Sequence, residues 1–400
     1  GRLFLFSIGG FTFVVFKTYK MNDMKGKQGM VCMGLLLVLS SCHTGKQITA
    51  SGLQRKDFQT EVNGQHTDLF TLSNKQGMEV CITNYGARVV SILVPDRNGK
   101  REDVVCGFST ITEYMEQRQN FGSTVGRYIG RILNARFTLD GVEYKLVPNN
   151  GKSGHISHGG NPGFADRIWK VEQADTHRVR LSYLSPDGEN GFPGNLKVTL
   201  VYSLGEDDNA LDLTYEATTD APTVLNLSHH SFFNISGNFT KSVEDQQLWV
   251  DADRFTPYDD KKCVTGEYLP VAGTPLDFRM PHAIGECIDA DHPQLKVVNG
   301  YDHTWELNTK GDDTRPAAWV YDPASGRKME IFTTEPGMQI YTGNGLKGKM
   351  TGKRGIAYPF RSAVCFETMH FQDSPNQPGF PSTVLRPGEV FRSHTVYKFE

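Results

Sequence analysis

The sequence predicts an all-β protein, built as one large antiparallel β-sandwich whose two layers pack face to face. Short runs of alternating apolar and polar residues recur along the chain at hairpin spacing, separated by turn residues. The chain has 41 glycines and 11 % aromatic residues, and long helical periodicity is hard to find. No self-similarity with a period of roughly 20–50 residues is evident, which disfavours a propeller or a solenoid.

Residues 1–41 are expected to lie outside the folded domain. The chain starts with Gly1 rather than Met, and residues 1–23 have no domain character. We interpret them as an upstream extension, with Met21 or Met24 as the true start of the protein.

A lipoprotein signal peptide is predicted to follow Met24. Two lysines precede a short apolar run at 30–39, which ends at Ser-Ser and Cys42. This ending is typical of a bacterial lipobox, so we expect Cys42 to be lipidated and residues 42–55 to form a polar tether. The alternative is an ordinary cleaved signal with a chance cysteine. Either signal places the protein outside the cytoplasm, and the lipobox predicts a periplasmic or cell-envelope location with a lipid anchor as its one membrane contact.

One domain is predicted for residues 56–400, because no linker divides its strand signals. The strands number on the order of twenty. The clearest are expected at 78–83, 88–94, 136–139, 142–146, 179–183, 196–204, 210–218, 328–333, 338–342 and 392–399. The strongest turn signal is Asp140-Gly141, which predicts a two-residue hairpin.

Charge and cysteine content exclude several classes of function. The net charge is −3 without a basic stripe, so a nucleic-acid partner is not expected. Five cysteines follow the signal segment without any CxxC motif, so the sequence supports no metal site. They are Cys81, Cys106, Cys263, Cys287 and Cys365. Free thiols are the preferred interpretation, and a disulfide between the neighbours Cys263 and Cys287 stays open.

The stretch 364–388 contains the main candidate for a catalytic group. Glu367 lies inside an apolar, strand-like run, where a carboxylate is costly to bury without partners or a task. A strand-end glutamate that points to solvent is the alternative. Nearby polar side chains suit a hydroxylated ligand: Thr368, His370, Gln372, Asn376 and Gln377.

Two histidine clusters are further candidates. His158 stands before two glycines on an expected loop, where either a functional or a structural role is open. His229 and His230 are adjacent on a strand, so their side chains point to opposite faces and at most one can reach a given pocket. A structural histidine is the alternative for each.

Polar groups in three other segments complete the candidate set. Arg127 and Arg131 are four residues apart, which fits either anion binding or a solvated pair. Asp302 and Gln339 adjoin aromatic, strand-like runs and have side chains that can bind sugar hydroxyls. Neither a nucleotide-binding motif nor a serine nucleophile elbow is present. The residues therefore indicate acid–base chemistry on a neutral polar ligand such as a sugar, without naming a reaction.

The order and wording of these segments resemble the aldose 1-epimerase (galactose mutarotase) family over residues 56–400. The matching pieces are NYGA at 84–87, PDRNG at 95–99, the arginines 127 and 131, HGG at 158–160, GFPG at 191–194, NLSHHSFFN at 226–234, YDH at 301–303, TTEPGMQIYTGN at 333–344 and the segment 367–389.

The resemblance implies a large antiparallel β-supersandwich of the galactose mutarotase type that interconverts α- and β-aldopyranoses without a cofactor. It implies Glu367 as general base, His230 as general acid, and a sugar-binding set of Arg131, His158, Asp302 and Gln339. Two departures concern the rim of the site. Gly130 and His229 stand where many members carry asparagine, which leaves the sugar preference open.

Three alternatives to a mutarotase are kept. A hexose-6-phosphate epimerase of the same fold would need extra cationic groups, for which Arg127 and Arg131 are the candidates. A glycosidase would need two paired carboxylates, such as Asp302 and Glu367. A non-catalytic, sugar-binding surface lipoprotein would not need both Glu367 and His230. The oligomeric state is not predicted.

Overall fold

The computed structural model describes residues 2–8, 11–17 and 47–400. The chain divides into two units, 1–43 and 44–400. In the first unit, Arg2–Ile8 and Phe11–Lys17 pair as an antiparallel hairpin. The predicted apolar signal run and Cys42 lie outside the described residues. Among the described residues, no helix is long and apolar enough to cross a membrane.

A nine-stranded antiparallel sheet forms one layer of the second unit. Its strands are, in spatial order, Lys170–Ala174, Arg178–Ser185, Leu196–Leu204, Ala210–Thr219, Phe391–Phe399, Lys328–Thr333, Ala318–Tyr321, Gln247–Val250 and His282–Ala283. Leu196–Leu204 alternates between buried and more exposed residues along its whole length. This period of two places one side of the strand in the core and the other towards solvent.

Two further sheets contribute to the opposite layer. The six-stranded sheet has the order Phe232–Phe233, Val364–Met369, Gly337–Tyr341, Asp302–Glu306, Arg254–Thr256 and Leu269–Pro270. The four-stranded sheet has the order Leu69–Ser73, Glu79–Thr83, Arg88–Pro95 and Arg101–Asp103.

Short strand pairs and helices make up the remaining regular structure. The pairs are Glu61–Val62 with Gln65–His66, Ser123–Val125 with Ser228–His230, Arg131–Ile132 with Ile156–Ser157, Arg136–Leu139 with Val142–Lys145, and Thr223–Val224 with Val384–Leu385. The α-helices are Ile111–Gln117 and Pro293–Val298. The 3-10 helices are Arg55–Phe58, Leu133–Ala135, Gly151–Ser153, Phe164–Asp166, Glu189–Gly191, Ile284–Glu286, Lys353–Gly355 and Ser374–Asn376.

The two layers enclose one continuous apolar core. It takes side chains from all three sheets, for example Leu200, Val80 and Phe366. Polar contacts also cross between the layers: Tyr397 in the nine-stranded sheet donates a hydrogen bond to the backbone oxygen of Phe366 at 3.0 Å. The large antiparallel sandwich predicted from the sequence is therefore confirmed.

The predicted strands agree with the structure in position, and their number was underestimated. Strands 196–204 and 328–333 have the predicted bounds, and the Asp140-Gly141 hairpin pairs 136–139 with 142–145. Residues 47–400 contain 29 strands rather than about twenty. The excess consists largely of two-residue strands that pair loops, which are too short to produce an alternating pattern.

Part of the segment predicted as a tether packs against the domain. Thr49, Ser51 and Leu53 are buried. The Ser51 backbone N–H donates to Glu79 Oε1 at 3.2 Å, and the Ser51 hydroxyl lies 3.0 Å from that of Ser91. Residues 49–53 are thus bound to the four-stranded sheet.

Candidate active site

The six-stranded sheet provides the floor of the site. Gln339 lies directly opposite Glu367 on the neighbouring strand, and Asp302 lies opposite Tyr341 two residues further along. Because side chains alternate between the faces of a strand, all four project from the same face. That face points away from the core. Val364–Met369 is nevertheless buried along its whole length, since loops cover this second face.

A cavity of about 240 Å³ lies between this floor and the covering loops. It brings together all six residues that the sequence resemblance implied. Its lining comprises Gln119, Asn120, Gly130, Arg131, Ser157, His158, His230, Phe232, Asp302, Gln339, Tyr341, Glu367, Met369 and Gln372. Gln119 and Asn120 follow the helix Ile111–Gln117, whose start is fixed by a capping box between Thr110 and Glu113.

Glu367 and His230 form a close pair on this floor. Nε2 of His230 is 3.5 Å from Oε1 of Glu367, and both side chains are buried. The imidazole stacks on Phe232 with ring centroids 5.0 Å apart, and the edge of His158 approaches it at 5.6 Å. Nδ1 of His230 is buried and accepts or donates no hydrogen bond within the described residues. The aromatic neighbours therefore hold the ring with one nitrogen directed at the carboxylate.

His229 points the other way, as predicted for adjacent residues on a strand. Its Nε2 lies 2.7 Å from the Ser231 hydroxyl, and its Nδ1 lies 3.4 Å from the Tyr202 hydroxyl. Burial lowers the pKa of His229 to about 3. This histidine is a neutral, hydrogen-bonded member of the core and does not line the cavity.

The electrostatics of the pair favour a single shared proton. Burial raises the pKa of Glu367 well above its ordinary value, and the charge of Asp302 raises it further, whereas Arg131 opposes both. Burial also lowers the pKa of His230 well below its ordinary value. At a buried position the uncharged pair, with the proton on the carboxyl group, is favoured over the ion pair. A polar ligand that donates hydrogen bonds to Glu367 shifts this balance towards carboxylate and imidazolium.

His158 offers a second neutral imidazole. Burial and the charge of Arg131 lower its pKa to about 4. Its Nδ1 is buried without a hydrogen-bond partner among the described residues. The following Gly159 has φ of +77°, and a Cβ there would be 2.0 Å from the Gly126 carbonyl oxygen. The glycine is thus required for the loop that brings His158 to the cavity.

A chain of hydrogen bonds orients the amide and carboxylate groups. Thr304 Oγ1 donates to Gln339 Oε1 at 2.5 Å, and Gln339 Nε2 donates to Asp302 Oδ1 at 2.7 Å. Gln372 Nε2 donates to the Tyr258 hydroxyl at 2.6 Å and to Gln339 Oε1 at 3.3 Å. Asp302 and Gln339 are therefore held in fixed orientations before any ligand arrives.

Gln372 has a larger role in the site than its sequence context indicates. It was one of five polar candidates near Glu367 but was not among the six site residues. Its side chain lies over Gly130, where a Cβ would be 2.6 Å from Gln372 Cγ. Its Oε1 accepts a hydrogen bond from the Arg131 backbone N–H at 3.3 Å. The glycine at position 130 is the sequence feature that permits this contact. It can be recognised as such only once Gln372 is known to be its partner.

Four of the five polar candidates in the 364–388 stretch are engaged elsewhere. Thr368 faces the opposite layer and contacts the Thr395 hydroxyl at 2.7 Å. His370 Nδ1 lies 2.7 Å from Glu335 Oε2. Asn376 and Gln377 both donate to the carboxylate of Asp373, at 2.7 and 2.9 Å. None of these four lines the cavity, and internal partners use their polar groups.

Arg127 is neither a ligand for an anion in this cavity nor solvated. Its guanidinium is buried and donates to the backbone oxygens of Pro193 and Gly194, at 2.7 and 3.0 Å, and to the Ser185 hydroxyl at 2.6 Å. It holds loops together beside the site. Arg131 is the one lysine or arginine that lines the cavity within residues 47–400.

The five cysteines of the described domain are free thiols. Cys81, Cys106 and Cys365 are buried, whereas Cys263 and Cys287 are half-buried. The preferred interpretation of free thiols is confirmed, and the 263–287 disulfide left open by the sequence does not form.

Comparison with known proteins gives a consistent result. The family model described as aldose 1-epimerase matches residues 68–398. The chain is 39 % identical over 330 residues to a galactose mutarotase from Sus scrofa, with 82 % of this chain and 93 % of the relative covered. It is 36 % identical over 340 residues to an aldose 1-epimerase from Escherichia coli, with 84 % and 96 % covered.

Solved structures show the same architecture. A GalM/aldose epimerase homologue from C. elegans superimposes with a TM-score of 0.77 at 31 % identity, covering 84 % of this chain and 99 % of the other. A galactose 1-epimerase from Lactobacillus acidophilus gives a TM-score of 0.74 at 28 % identity, with 85 % and 96 % covered.

Proposed function

The chain belongs to the aldose 1-epimerase family, and from that premise we propose that it interconverts the α and β anomers of aldohexoses such as glucose and galactose. The observation that carries this proposal is the Glu367–His230 pair, 3.5 Å apart in a buried cavity lined by hydrogen-bonding side chains. The chain is accordingly an isomerase, and proton transfer between these two residues and the sugar requires no cofactor.

The pair supplies one base and one acid. Glu367 takes the proton from the anomeric hydroxyl while protonated His230 gives a proton to the ring oxygen. The C1–O5 bond breaks, the aldehyde forms, and rotation about C1–C2 exposes its other face. On closure the roles reverse, so the shared proton is returned. Each such positioned acid or base typically contributes about 10²–10⁴-fold in rate.

The other four residues hold the sugar for this transfer. Arg131 and neutral His158 can donate hydrogen bonds to hydroxyl oxygens, whereas Asp302 accepts them. Gln339 can do both, although Asp302 and Thr304 already occupy part of its amide. Because Asp302 and Gln339 are fixed before binding, little ordering cost remains for them at the moment of reaction.

The geometry does not favour a hexose-6-phosphate epimerase, a glycosidase or a non-catalytic sugar-binding protein. A hexose 6-phosphate would find Arg131 but not Arg127, whose guanidinium is taken up by backbone oxygens. A glycosidase would use Asp302 with Glu367, but in the described site Glu367 is paired with an imidazole 3.5 Å away. A sugar-binding protein without activity would have no use for a buried acid–base pair.

The test is polarimetry on freshly dissolved single anomers. We expect faster mutarotation of α-D-glucose and α-D-galactose, no preference for hexose 6-phosphates, and no release of phenol from aryl glycosides. Sugar binding without faster anomer exchange would instead support the non-catalytic alternative.

We further propose that Cys42 carries a lipid and places the domain in the periplasm or cell envelope. The support is the sequence pattern alone: lysines, an apolar run at 30–39 and the Ser-Ser-Cys ending. Metabolic labelling with an alkyne-bearing fatty acid, compared between the natural protein and Cys42→Ser, is the test. Labelling that persists in Cys42→Ser would overturn the assignment.

A further inference from the structure

A thiol lies next to the proposed acid–base pair. Cys365 is two residues before Glu367 on the same strand, so both side chains project from the same face. One ligand atom from each of His230, Cys365 and Glu367 lies within 4.8 Å of the other two, and all three residues are buried. This is the one such three-residue group within the described part of the chain.

We propose that His230, Cys365 and Glu367 bind a thiophilic divalent cation such as Zn²⁺ or Cd²⁺ and that the bound ion closes the sugar site. Imidazole nitrogen, thiolate sulfur and carboxylate oxygen are the ligand types that zinc prefers. The nature of the donors thus selects against Mg²⁺ and Ca²⁺, which favour oxygen ligands alone.

The geometry is close to that of a tetrahedral site. With metal–ligand bonds of about 2.0–2.3 Å, tetrahedral ligands are roughly 3.3–3.8 Å apart. Nε2 of His230 and Oε1 of Glu367 are already 3.5 Å apart. Since the three ligand atoms lie within 4.8 Å of one another, the Cys365 sulfur has to move closer to the other two by no more than roughly 1.5 Å. The fourth position is left for a water molecule from the cavity that Glu367 and His230 line.

Access to this site is through the sugar cavity. Glu367 and His230 line the cavity, and Cys365 lies behind them between Phe232 and Tyr341, its neighbours in the sheet. Asp302 adds a negative charge that attracts a cation, and Arg131 opposes it. Binding releases two protons to solvent, one from the Cys365 thiol and the one shared by Glu367 and His230, since thiolate, carboxylate and neutral imidazole are the ligands.

Inhibition follows from the shared atoms. A bound ion takes the lone pairs of Glu367 and His230 that proton transfer requires. This consequence rests on the proposed function, whereas metal binding itself does not. Spectroscopy and polarimetry therefore report on the two claims separately.

The experiment is a Cd²⁺ titration of the metal-free, full domain. Thiolate coordination gives an ultraviolet charge-transfer band, which we expect in the natural protein and not in Cys365→Ser. Cys263→Ser is the matched control, because Cys263 Sγ lies 3.3 Å from His155 Nε2 and is the competing thiol–imidazole pair. Cys263→Ser should keep both the band and the mutarotase activity.

Two further readouts complete the test. Half-inhibition, normalised to each variant's own rate without metal, should need at least about tenfold more Cd²⁺ in Cys365→Ser. Glu367→Gln keeps the thiol and should weaken Cd²⁺ binding by a similar factor, which tests the site even if Cys365→Ser does not fold. A band that survives in Cys365→Ser, or disappears in Cys263→Ser, overturns the proposal. A Cys365-dependent band in a protein without mutarotase activity refutes the proposed function and leaves the metal site standing.

Discussion

Nε2 of His230 lies 3.5 Å from Oε1 of Glu367, although the two residues come from different strand pairs and are 137 positions apart in the chain. Val364–Met369 brings the carboxylate from the six-stranded sheet, and Ser228–His230 brings the imidazole from its pairing with Ser123–Val125. Burial disfavours the charged form of each group, so that together they hold one proton. This arrangement is what an interconversion that needs an acid and a base in alternating roles requires.

Replacing Gln372 with alanine should weaken catalysis without unfolding the protein. The change removes the hydrogen bonds from Gln372 to Tyr258 and to Gln339, at 2.6 and 3.3 Å. The Gln339 amide then keeps only its bonds with Thr304, Asp302 and Tyr258. Poorer orientation of the sugar-binding groups should reduce transition-state stabilisation by about 1–1.5 kcal/mol, which corresponds to roughly a tenfold lower kcat/KM. Polarimetric rates over a range of sugar concentrations measure it. Gln377→Ala, which affects a bond to Asp373 instead, is the control and should change the rate little.

Gly130→Ala should displace the Gln372 side chain, which lies over this glycine. The new Cβ would lie 2.6 Å from Gln372 Cγ, at a backbone φ of +76°. We expect a loss of about 1–2 kcal/mol in the free energy of unfolding from the positive φ alone, together with a lower kcat/KM. In a double-mutant cycle with Gln372→Ala, the effects on kcat/KM should be clearly non-additive. Additive effects would show that the Gly130–Gln372 contact has no role.

Arg127→Met should reduce stability and leave sugar affinity nearly unchanged. The buried guanidinium satisfies the oxygens of Pro193, Gly194 and Ser185, which would lose their partners. The expected loss is about 3 kcal/mol in urea-induced unfolding. A KM for hexoses close to that of the natural protein, measured at low temperature, would agree with a purely structural role. A strong increase in KM would show that Arg127 contributes to sugar binding.

The folded protein should lose stability in alkaline solution, because His394 then loses its proton. Its Nδ1 and Nε2 each lie 2.6 Å from a carboxylate oxygen, of Asp313 and Asp212 respectively. Hydrogen bonding to Asp212 is the main reason that the pKa of His394 is raised to about 9. The folded state therefore holds a proton that the unfolded chain releases near its ordinary pKa of about 6.5. The contribution is complete below that value and disappears as the pH rises through about 9.

The measurement is thermal unfolding as a function of pH. Because the cluster is about one-third exposed, we expect at most about 1 kcal/mol, or a Tm decrease of one to two degrees between pH 6.5 and 9. His394→Asn should remove this part of the pH dependence. The same slope in both proteins would place its origin in other groups.

The fold class and the candidate carboxylate could be predicted because their signals are local. Alternation along 196–204 identifies a half-buried strand, and a carboxylate inside an apolar run marks Glu367. The resemblance then supplied the partners that residue types alone had left open. His229 and His230 also follow from local geometry, since adjacent residues on a strand must face opposite ways.

What could not be predicted depends on contacts between distant segments. Arg127 and Arg131 look alike in the sequence, yet one is buried among backbone oxygens and the other lines the cavity. Gln372 and Gln377 are equally polar, and each lies over a glycine, Gly130 and Gly266 respectively, but only Gln372 lines the cavity. These differences arise from packing between segments that are 58–67 residues apart for Arg127 and 241 residues apart for Gln372, which no local pattern encodes.

The most direct test of the account is the initial rate of mutarotation of fresh α-D-galactose in Glu367→Gln and His230→Asn, followed by polarimetry. Gln377→Ala serves as the reference, and matching thermal unfolding curves establish that the variants are folded. Loss of either the base or the acid should lower the rate by at least about 10²-fold. A folded variant of either kind that retains the rate of the natural protein would contradict the assignment of that residue.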